Sequence, residues 1–353
     1  MRTDQQTILF YAINGIGLGH VVRLSCVARM VGIRHPAVRR FFYSNSPQAD
    51  AYFDCVGIKI RDSLADPLSL RRERIMTGLS QAKAAIRPNV MVCDTHWPKA
   101  FIRESREQGV RTVLVLRGLS SDAMRDALER ACSEFDAIIV PHHPDELRWQ
   151  YAGSPVLDQL KHPRVAITGP IARVSQRPCG RRKVLFTLGG GGEYDGASKA
   201  NSLKIYLSAF SDAIKRIERQ DIFCALAAGP FLRANALRRW WHPIINTSEL
   251  HEDLGPETVV VARPGYNTCW EAIGAGARLV LCGDHATLED TEKRAEYLSR
   301  QGAAIRSKTR GKEIAKAVSE CYAVPKPQIQ WLRESVNAGL PLAAKIVTGN
   351  EES

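Results

Sequence analysis

The run Ile8-Leu9-Phe10-Tyr11-Ala12-Ile13-Asn14-Gly15-Ile16-Gly17-Leu18-Gly19-His20 passes from an apolar strand through a glycine-rich turn into the start of a helix. The helix shows in the residues that follow, where Leu24, Val27, Ala28 and Val31 recur at the spacing of one helical face. The layout returns at Val184-Leu185-Phe186-Thr187-Leu188-Gly189-Gly190-Gly191-Gly192-Glu193-Tyr194-Asp195, a strand followed by four consecutive glycines. Around these two anchors, short apolar runs alternate with longer amphipathic stretches, as in βαβ units that build a parallel sheet. Strands are expected at Thr7–Ala12, Arg40–Tyr43, Val90–Cys93, Thr112–Leu116, Ala137–Val140 and Val165–Thr168. A second series is expected at Lys183–Leu188, Ile222–Ala227, Ile244–Asn246, Thr258–Ala262 and Arg278–Cys282. Expected helices include Asp122–Phe135, with Met124, Ala127, Leu128 and Ala131 on one face, and Ser198–Arg219, Thr268–Ala275, Thr287–Gln301 and Gln328–Ile346.

Between the two series, Ala172–Arg182 is polar and basic, holds Pro178 and Gly180, and lacks periodicity, so it reads as a linker. The expected fold class is therefore α/β, with two Rossmann-like domains whose parallel sheets face each other across a cleft. The first domain covers 1–171 and the second 183–353, with the final helix a candidate to return to the first domain. A length of 353 residues suits two domains at roughly 100–200 residues each.

Composition narrows the class further. The chain is 44% hydrophobic and 24% charged, values ordinary for a globular protein. No apolar run approaches the roughly 20 residues that span a bilayer, and Met1–Gln6 leads straight into a strand without a signal-peptide core, so a cytoplasmic protein is expected. The nine cysteines are scattered, odd in number and without a C-x-x-C pair, which argues against a disulfide framework or a zinc knuckle and reads most of them as core residues. The formal charge of +12 favours anionic partners: a nucleoside diphosphate, a phosphorylated acceptor, nucleic acid or an acidic membrane face.

Four motifs carry chemistry. In the first, Gly15, Gly17 and Gly19 suit a close approach of backbone to a ligand, and the helix that follows offers N–H groups to an anion. The dinucleotide fingerprint G-x-G-x-x-G fails, because its third glycine position is held by His20, and the second strand ends in Tyr43-Ser44-Asn45-Ser46 without the acidic residue that binds a ribose hydroxyl. His20 stands instead as a proton acceptor at a strand's carboxyl end, or as a residue that packs at the helix start. In the second motif, the Gly189–Gly192 run suits a diphosphate or a plain connection; no Gly-Lys-Ser/Thr follows, so it is not a P-loop.

The third motif, Val259–Gly276, delivers Arg263-Pro264-Gly265-Tyr266-Asn267-Thr268 from a buried strand onto a helix, with Asn267 or Thr268 as the expected cap. Glu271 follows in the first turn, where a carboxylate is favoured by the helix dipole and is suited to accept two hydrogen bonds from a ribose diol. The fourth, Gly283–Ala295, crowds acidic residues at a loop-to-helix junction, to hold sugar hydroxyls or to cap the helix.

Together these motifs resemble the GT-B glycosyltransferases, and within them the family 28 branch that includes the N-acetylglucosaminyl transferase of peptidoglycan lipid II synthesis and its bacterial relatives. The G-x-G-x-G-H opening, Gly169-Pro170-Ile171, the second glycine loop and the R-P-G-Y-N-T-x-x-E-A-I-x-x-G block carry the likeness, which is thinner between residues 45 and 165. The resemblance implies a nucleoside-diphosphate sugar donor, UDP-linked, held by the second domain without a bound metal or other cofactor. It implies Glu271 at the ribose, Gly190, Gly191, Gly192, Asn267 and Thr268 near the diphosphate, and Gly17, Gly19, Arg263 and Gly265 around the donor. Asp290 and Thr291 stand where relatives carry an acidic–glutamine pair on the sugar, so the glutamine is lost here. By the same likeness His20 is the catalytic base in an inverting transfer to an acceptor hydroxyl, with Asp94 either orienting it or capping a helix. Arg71, Arg72, Trp97, Arg117 and Trp149 are candidates to line an acceptor site or are ordinary surface or core residues; peripheral membrane contact stays open, and no segment points to an obligatory protein partner. A nucleotide-sugar hydrolase or 2-epimerase on the same fold is the alternative, and a non-catalytic anion or nucleic-acid binder the third reading.

Overall fold

The computed structural model describes residues 5–13, 18–46, 56–59, 68–174, 182–189, 197–217, 222–230, 232, 237–238, 240–247, 249–283, 291–324 and 329–349. Of the candidate site residues, Gly17, Gly190, Gly191, Gly192 and Asp290 lie outside the described residues. By contacts the chain divides into two compact units, one formed by Met1–Ile171 with Asn337–Ser353 and the other by Ala172–Val336.

The first unit runs β1 (Thr7–Ala12), α1 (Gly19–Arg34), β2 (Arg39–Ser44), β3 (Val56–Lys59), α2 (Leu68–Ile86), β4 (Val90–Asp94), α3 (Lys99–Glu107), β5 (Arg111–Val115), α4 (Ser121–Glu134), β6 (Ala137–Val140), α5 (Pro144–Gln150), α6 (Val156–Gln159) and β7 (Val165–Ile167). Its sheet has the order β3-β2-β1-β4-β5-β6-β7, and every described pairing is parallel. Parallel strands covered by helices on both faces bury every side chain, which is why β1 and β4 are buried throughout. One face of the sheet sets Leu9, Tyr11, Met91, Cys93, Leu114 and Ile138 against Leu79 of α2, Phe101 and Ile102 of α3, and Met124, Leu128 and Ala131 of α4.

The second unit runs β8 (Lys183–Thr187), α7 (Ala197–Ile217), β9 (Phe223–Ala228), β10 (Ile244–Asn246), β11 (Thr258–Ala262), α8 (Tyr266–Gly274), β12 (Arg278–Cys282), α9 (Thr291–Arg300), β13 (Ala304–Ser307), α10 (Gly311–Ala323) and the start of α11 (Gln330–Thr348). Its sheet order, β10-β9-β8-β11-β12-β13, repeats that of the first six strands of the first unit. Val184, Phe186, Leu226, Val259, Val261 and Val280 pack against Phe210 and Ile214 of α7 and Ile314 and Val318 of α10. All seven described cysteines are free thiols, six of them buried. No helix among the described residues is long and apolar enough to cross a membrane.

Two strands go beyond those expected from sequence, β3 and β13, and each lies at the edge of its sheet. An edge strand is half solvated, so Val56-Gly57-Ile58-Lys59 and Ala304-Ile305-Arg306-Ser307 carry no sustained apolar pattern. A further correction concerns α8, which begins at Tyr266 with Gly265 as its N-cap residue, so neither Asn267 nor Thr268 is the cap and both sit in the first turn.

The final segment is tied into the first unit by its backbone. Arg111 Nη1 donates to the carbonyls of Ile346 and Val347 at 2.7 and 2.9 Å, and Gln6 Nε2 donates to the Thr348 carbonyl at 2.9 Å. Gly339 lies so close to Gly169-Pro170 that a Cβ there would come 2.3 Å from the Pro170 carbonyl oxygen. Backbone cannot yield as a side-chain tip does, so Gly339→Ala should lower the unfolding free energy by about 1–3 kcal/mol in urea melts. An unchanged midpoint would show that α11 does not make this contact.

Candidate active site

In both sheets the winding direction reverses at one pair of neighbouring strands, β1/β4 and β8/β11. Loops leaving the carboxyl ends of such a pair diverge, and the crevice they leave is where open α/β sheets bind ligands. In the first unit the loop after β1 leads to His20 in the first turn of α1, and β4 ends on Asp94. His20 Nδ1 lies 2.6 Å from Asp94 Oδ1. Asp94 does not cap α3, whose N-cap residue is Pro98.

Asp94 is buried and fully engaged. Arg23, one helical turn beyond His20 and only 2% exposed, donates from Nε to Oδ2 at 2.8 Å and from Nη2 to Oδ1 at 2.6 Å. Thr95 adds its hydroxyl to Oδ1 at 3.0 Å. Burial by itself raises a carboxyl pKa, but Arg23 and His20 outweigh it and hold Asp94 well below the usual carboxylate range. An ionised Asp94 only accepts hydrogen bonds, so His20 carries its proton on Nδ1 and leaves Nε2 as the acceptor. Burial is also the main influence on His20 and lowers its pKa; Asp94 opposes this, while Arg23 and Arg117 add to it. The imidazole is therefore neutral at pH 7, the form that can take a proton.

Thr95 has φ of 59°, a left-handed conformation unfavourable for a β-branched residue and costing on the order of 1–3 kcal/mol. Its N–H donates to the Val115 carbonyl at 2.8 Å, which holds the turn. The turn brings the His96 ring to 5.5 Å from that of His20. At Gly19 an added Cβ would meet no heavy atom within 4 Å.

In the second unit Thr187 of β8 and Ala262 of β11 are register partners, so Leu188–Gly189 and the Arg263–Thr268 segment leave neighbouring strand ends. Gly189 opens the run with φ of 70° and donates its N–H to Thr187 Oγ1 at 3.1 Å. The Arg263 guanidinium lies over the Tyr206 ring, whose hydroxyl donates to the Gly283 carbonyl at 2.9 Å. Arg294 of α9 donates to the Pro264 carbonyl at 3.0 Å and lies over the Tyr266 ring. These contacts set the start of α8. No side chain caps that helix at Gly265, where an added Cβ would meet nothing within 4 Å, and the buried Asn267 Oδ1 has no hydrogen-bond partner. Thr268 and Thr291 are both buried, the latter at the first residue of α9.

Glu271 is buried one turn into α8, and Arg173 donates from Nε to its Oε1 at 2.9 Å. Here burial prevails over the single arginine and raises the carboxyl pKa. Arg23, His96 and Arg173 were not singled out from sequence. Arg23 alone left a signal, a charged residue inside the apolar stretch Val21–Ala28. Trp97, offered for the acceptor side or for the core, braces the core, edge-on to Phe135 and hydrogen-bonded to Glu134.

No protein-family model matches the chain, and no curated protein matches it. Among solved structures it is similar to the glycotransferase of kitacinnamycin, at 15% identity over 98% of both chains and a TM-score of 0.66. A UGT transferase from Siraitia grosvenorii in complex with UDP matches at 11% identity over 98% of this chain and 99% of that one, with a TM-score of 0.61. A UDP-N-acetylglucosamine 2-epimerase from Listeria monocytogenes, described as putative, matches at 14% identity over 99% and 98%, with a TM-score of 0.64.

Stability should follow the buried charges. Asp94→Asn leaves the Arg23 charge buried without its counter-ion and should cost about 3–5 kcal/mol in urea unfolding. His20 and His96 have folded pKa values below their unfolded ones, so the unfolded chain binds more protons and stability falls as pH drops below about 6.5. The depressed Asp94 adds a further loss below about pH 4. A urea midpoint unchanged between pH 7 and 5 would contradict the lowered pKa of His20. With this site on two parallel-sheet α/β units, of seven and six strands, the chain has the fold of the GT-B glycosyltransferase structures.

Proposed function

We propose that the chain is a glycosyltransferase of the family 28-like GT-B branch, moving a sugar from a UDP-linked donor to an acceptor hydroxyl in a cytoplasmic setting. The observation that carries this reading is the His20–Asp94 couple at the point where the first sheet reverses, with a neutral imidazole whose Nε2 is the proton acceptor. The reading assigns the acceptor to residues 1–171 and the donor to residues 183–353.

Nε2 of His20 takes the hydroxyl proton as the acceptor oxygen bonds to the anomeric carbon. The bond from that carbon to the diphosphate breaks, its electron pair leaves with UDP, and the configuration inverts. Asp94, fixed by Arg23, keeps the Nδ1 proton in place and stabilises the imidazolium that forms. The departing diphosphate is received by backbone amides, without a metal ion: those of the uncapped start of α8 with Gly265, Asn267 and Thr268, and those of Gly190, Gly191 and Gly192. Glu271 receives the ribose hydroxyls, and Arg173 keeps the buried carboxylate in reach of ionisation. Asp290 and Thr291 are assigned to the sugar.

A nucleotide-sugar 2-epimerase or hydrolase is the second reading, favoured by the likeness to the Listeria monocytogenes protein. His20→Ala should abolish transfer while UDP affinity, measured by calorimetry, stays within about twofold; full turnover in this variant would remove His20 from the mechanism. Glu271→Gln should weaken UDP by about tenfold, the scale of one charge-assisted hydrogen bond. Incubation with a UDP-sugar alone separates the readings. Rapid UDP release or a new epimer in the proton spectrum, with no acceptor present, would favour the second.

A further inference from the structure

The first unit contains a second buried histidine–carboxylate pair that the proposed reaction leaves unused. His142 and Glu146 are 0 and 1% exposed, and His142 Nδ1 lies 2.7 Å from Glu146 Oε2. The other ring nitrogen accepts the Gly118 backbone N–H at 2.7 Å. Nε2 therefore carries no proton, and Nδ1–H donates to Glu146. The next peptide is held equally firmly. Leu119 N–H donates to Tyr151 Oη at 3.1 Å, and its carbonyl accepts from Tyr151 Oη and Gln150 Nε2, both at 2.9 Å. A Cβ at position 118 would come within 3.1 Å of His142 Nε2 and 3.2 Å of Gln150 Oε1, so glycine lets this loop close on its anchors.

What the anchors hold in place is Arg117. Asp94 and Val115 are register partners on neighbouring parallel strands, so His96 and Arg117 stand two residues beyond the same rung. His96 and His20 have their rings 5.5 Å apart, and the Arg117 charge bears on both. Asp94, the carboxylate in this group, is already matched by Arg23. A guanidinium and a second imidazole thus gather beside the proposed base.

We propose that the acceptor carries an anionic group, phosphoryl or carboxylate, close to its reacting hydroxyl, that Arg117 binds this group, and that His142 is the positioning residue that holds the Arg117 loop through Gly118. The word acceptor rests on the transfer reading; the anion site does not, because it can be loaded without a donor. Bound there, a negative charge opposes the lowering of the His20 pKa by Arg117 and Arg23, so the substrate itself strengthens the base that attacks it.

The test is histidine-selective carbon NMR on the full chain, titrated with inorganic phosphate and, separately, with acetate. The His20 and His96 ring signals should shift with phosphate or acetate, and their titration midpoints should rise; the tighter ion identifies phosphoryl or carboxylate. Arg117→Gln should weaken that binding at least tenfold and cancel the rise. His142→Phe should weaken it too, and His142→Gln, whose amide oxygen can still accept the Gly118 N–H, should restore part of it. Should His142→Phe fail to fold, Gly118→Ala probes the same contact. Ring signals unmoved by either ion, or binding indifferent to Arg117→Gln, would overturn the proposal. UDP binding is measured separately by calorimetry: its absence beside an intact phosphate effect sinks the transfer reading alone, and the reverse sinks the anion site alone.

Discussion

Parallel strands covered on both faces leave a protein few places to assemble chemistry. Side chains within the sheet are committed to the core, and groups from distant parts of the chain can meet only where loops leave the strand ends. The reversal of winding between β1 and β4 is what brings His20 to Asp94, 74 positions apart in sequence. The same reversal between β8 and β11 sets Gly189 beside Arg263 through the Thr187–Ala262 register pair. Each unit thus obtains a loaded strand end from topology alone, before any particular side chain is chosen.

The side chains then divide the electrostatic work. Asp94 is buried at a strand end and Glu271 one turn into α8, and their environments push them in opposite directions. Asp94 has an arginine and a histidine on it and stays ionised against the cost of desolvation. Glu271 has one arginine, and desolvation wins. Asp94 is therefore a fixed charge, suited to holding an imidazole in one tautomer. Glu271 is adjustable, and its ionisation responds to whatever hydrogen-bond donors come near it.

Much of this was legible in the sequence. β1, β6, β11 and β12 fall on the residues their apolar runs indicate, because central parallel strands announce themselves by continuous burial. The buried face of α4 is the expected set Met124, Ala127, Leu128 and Ala131. Edge strands β3 and β13 were not legible, since solvent on one side removes the pattern. Nor was the early start of α8: cap preference pointed to Asn267 or Thr268, whereas the burial of Tyr266 under Arg294 moves the helix start back to follow Gly265. At the site, His20 and Asp94 could be read as strand-end residues. Arg173 could not, because its partner lies 98 positions away and only tertiary structure brings them together.

Helix α11 has a consequence for how the chain comes to be folded. Its closing turns belong with Met1–Ile171, yet they are synthesised after the whole of Ala172–Val336. The half that leaves the ribosome first is completed last, with Arg111 and Gln6 waiting for carbonyls that are not yet made. Domains commonly fold in order of synthesis. Here the order closes on itself, and a nascent chain holds an unfinished first half until its second is made.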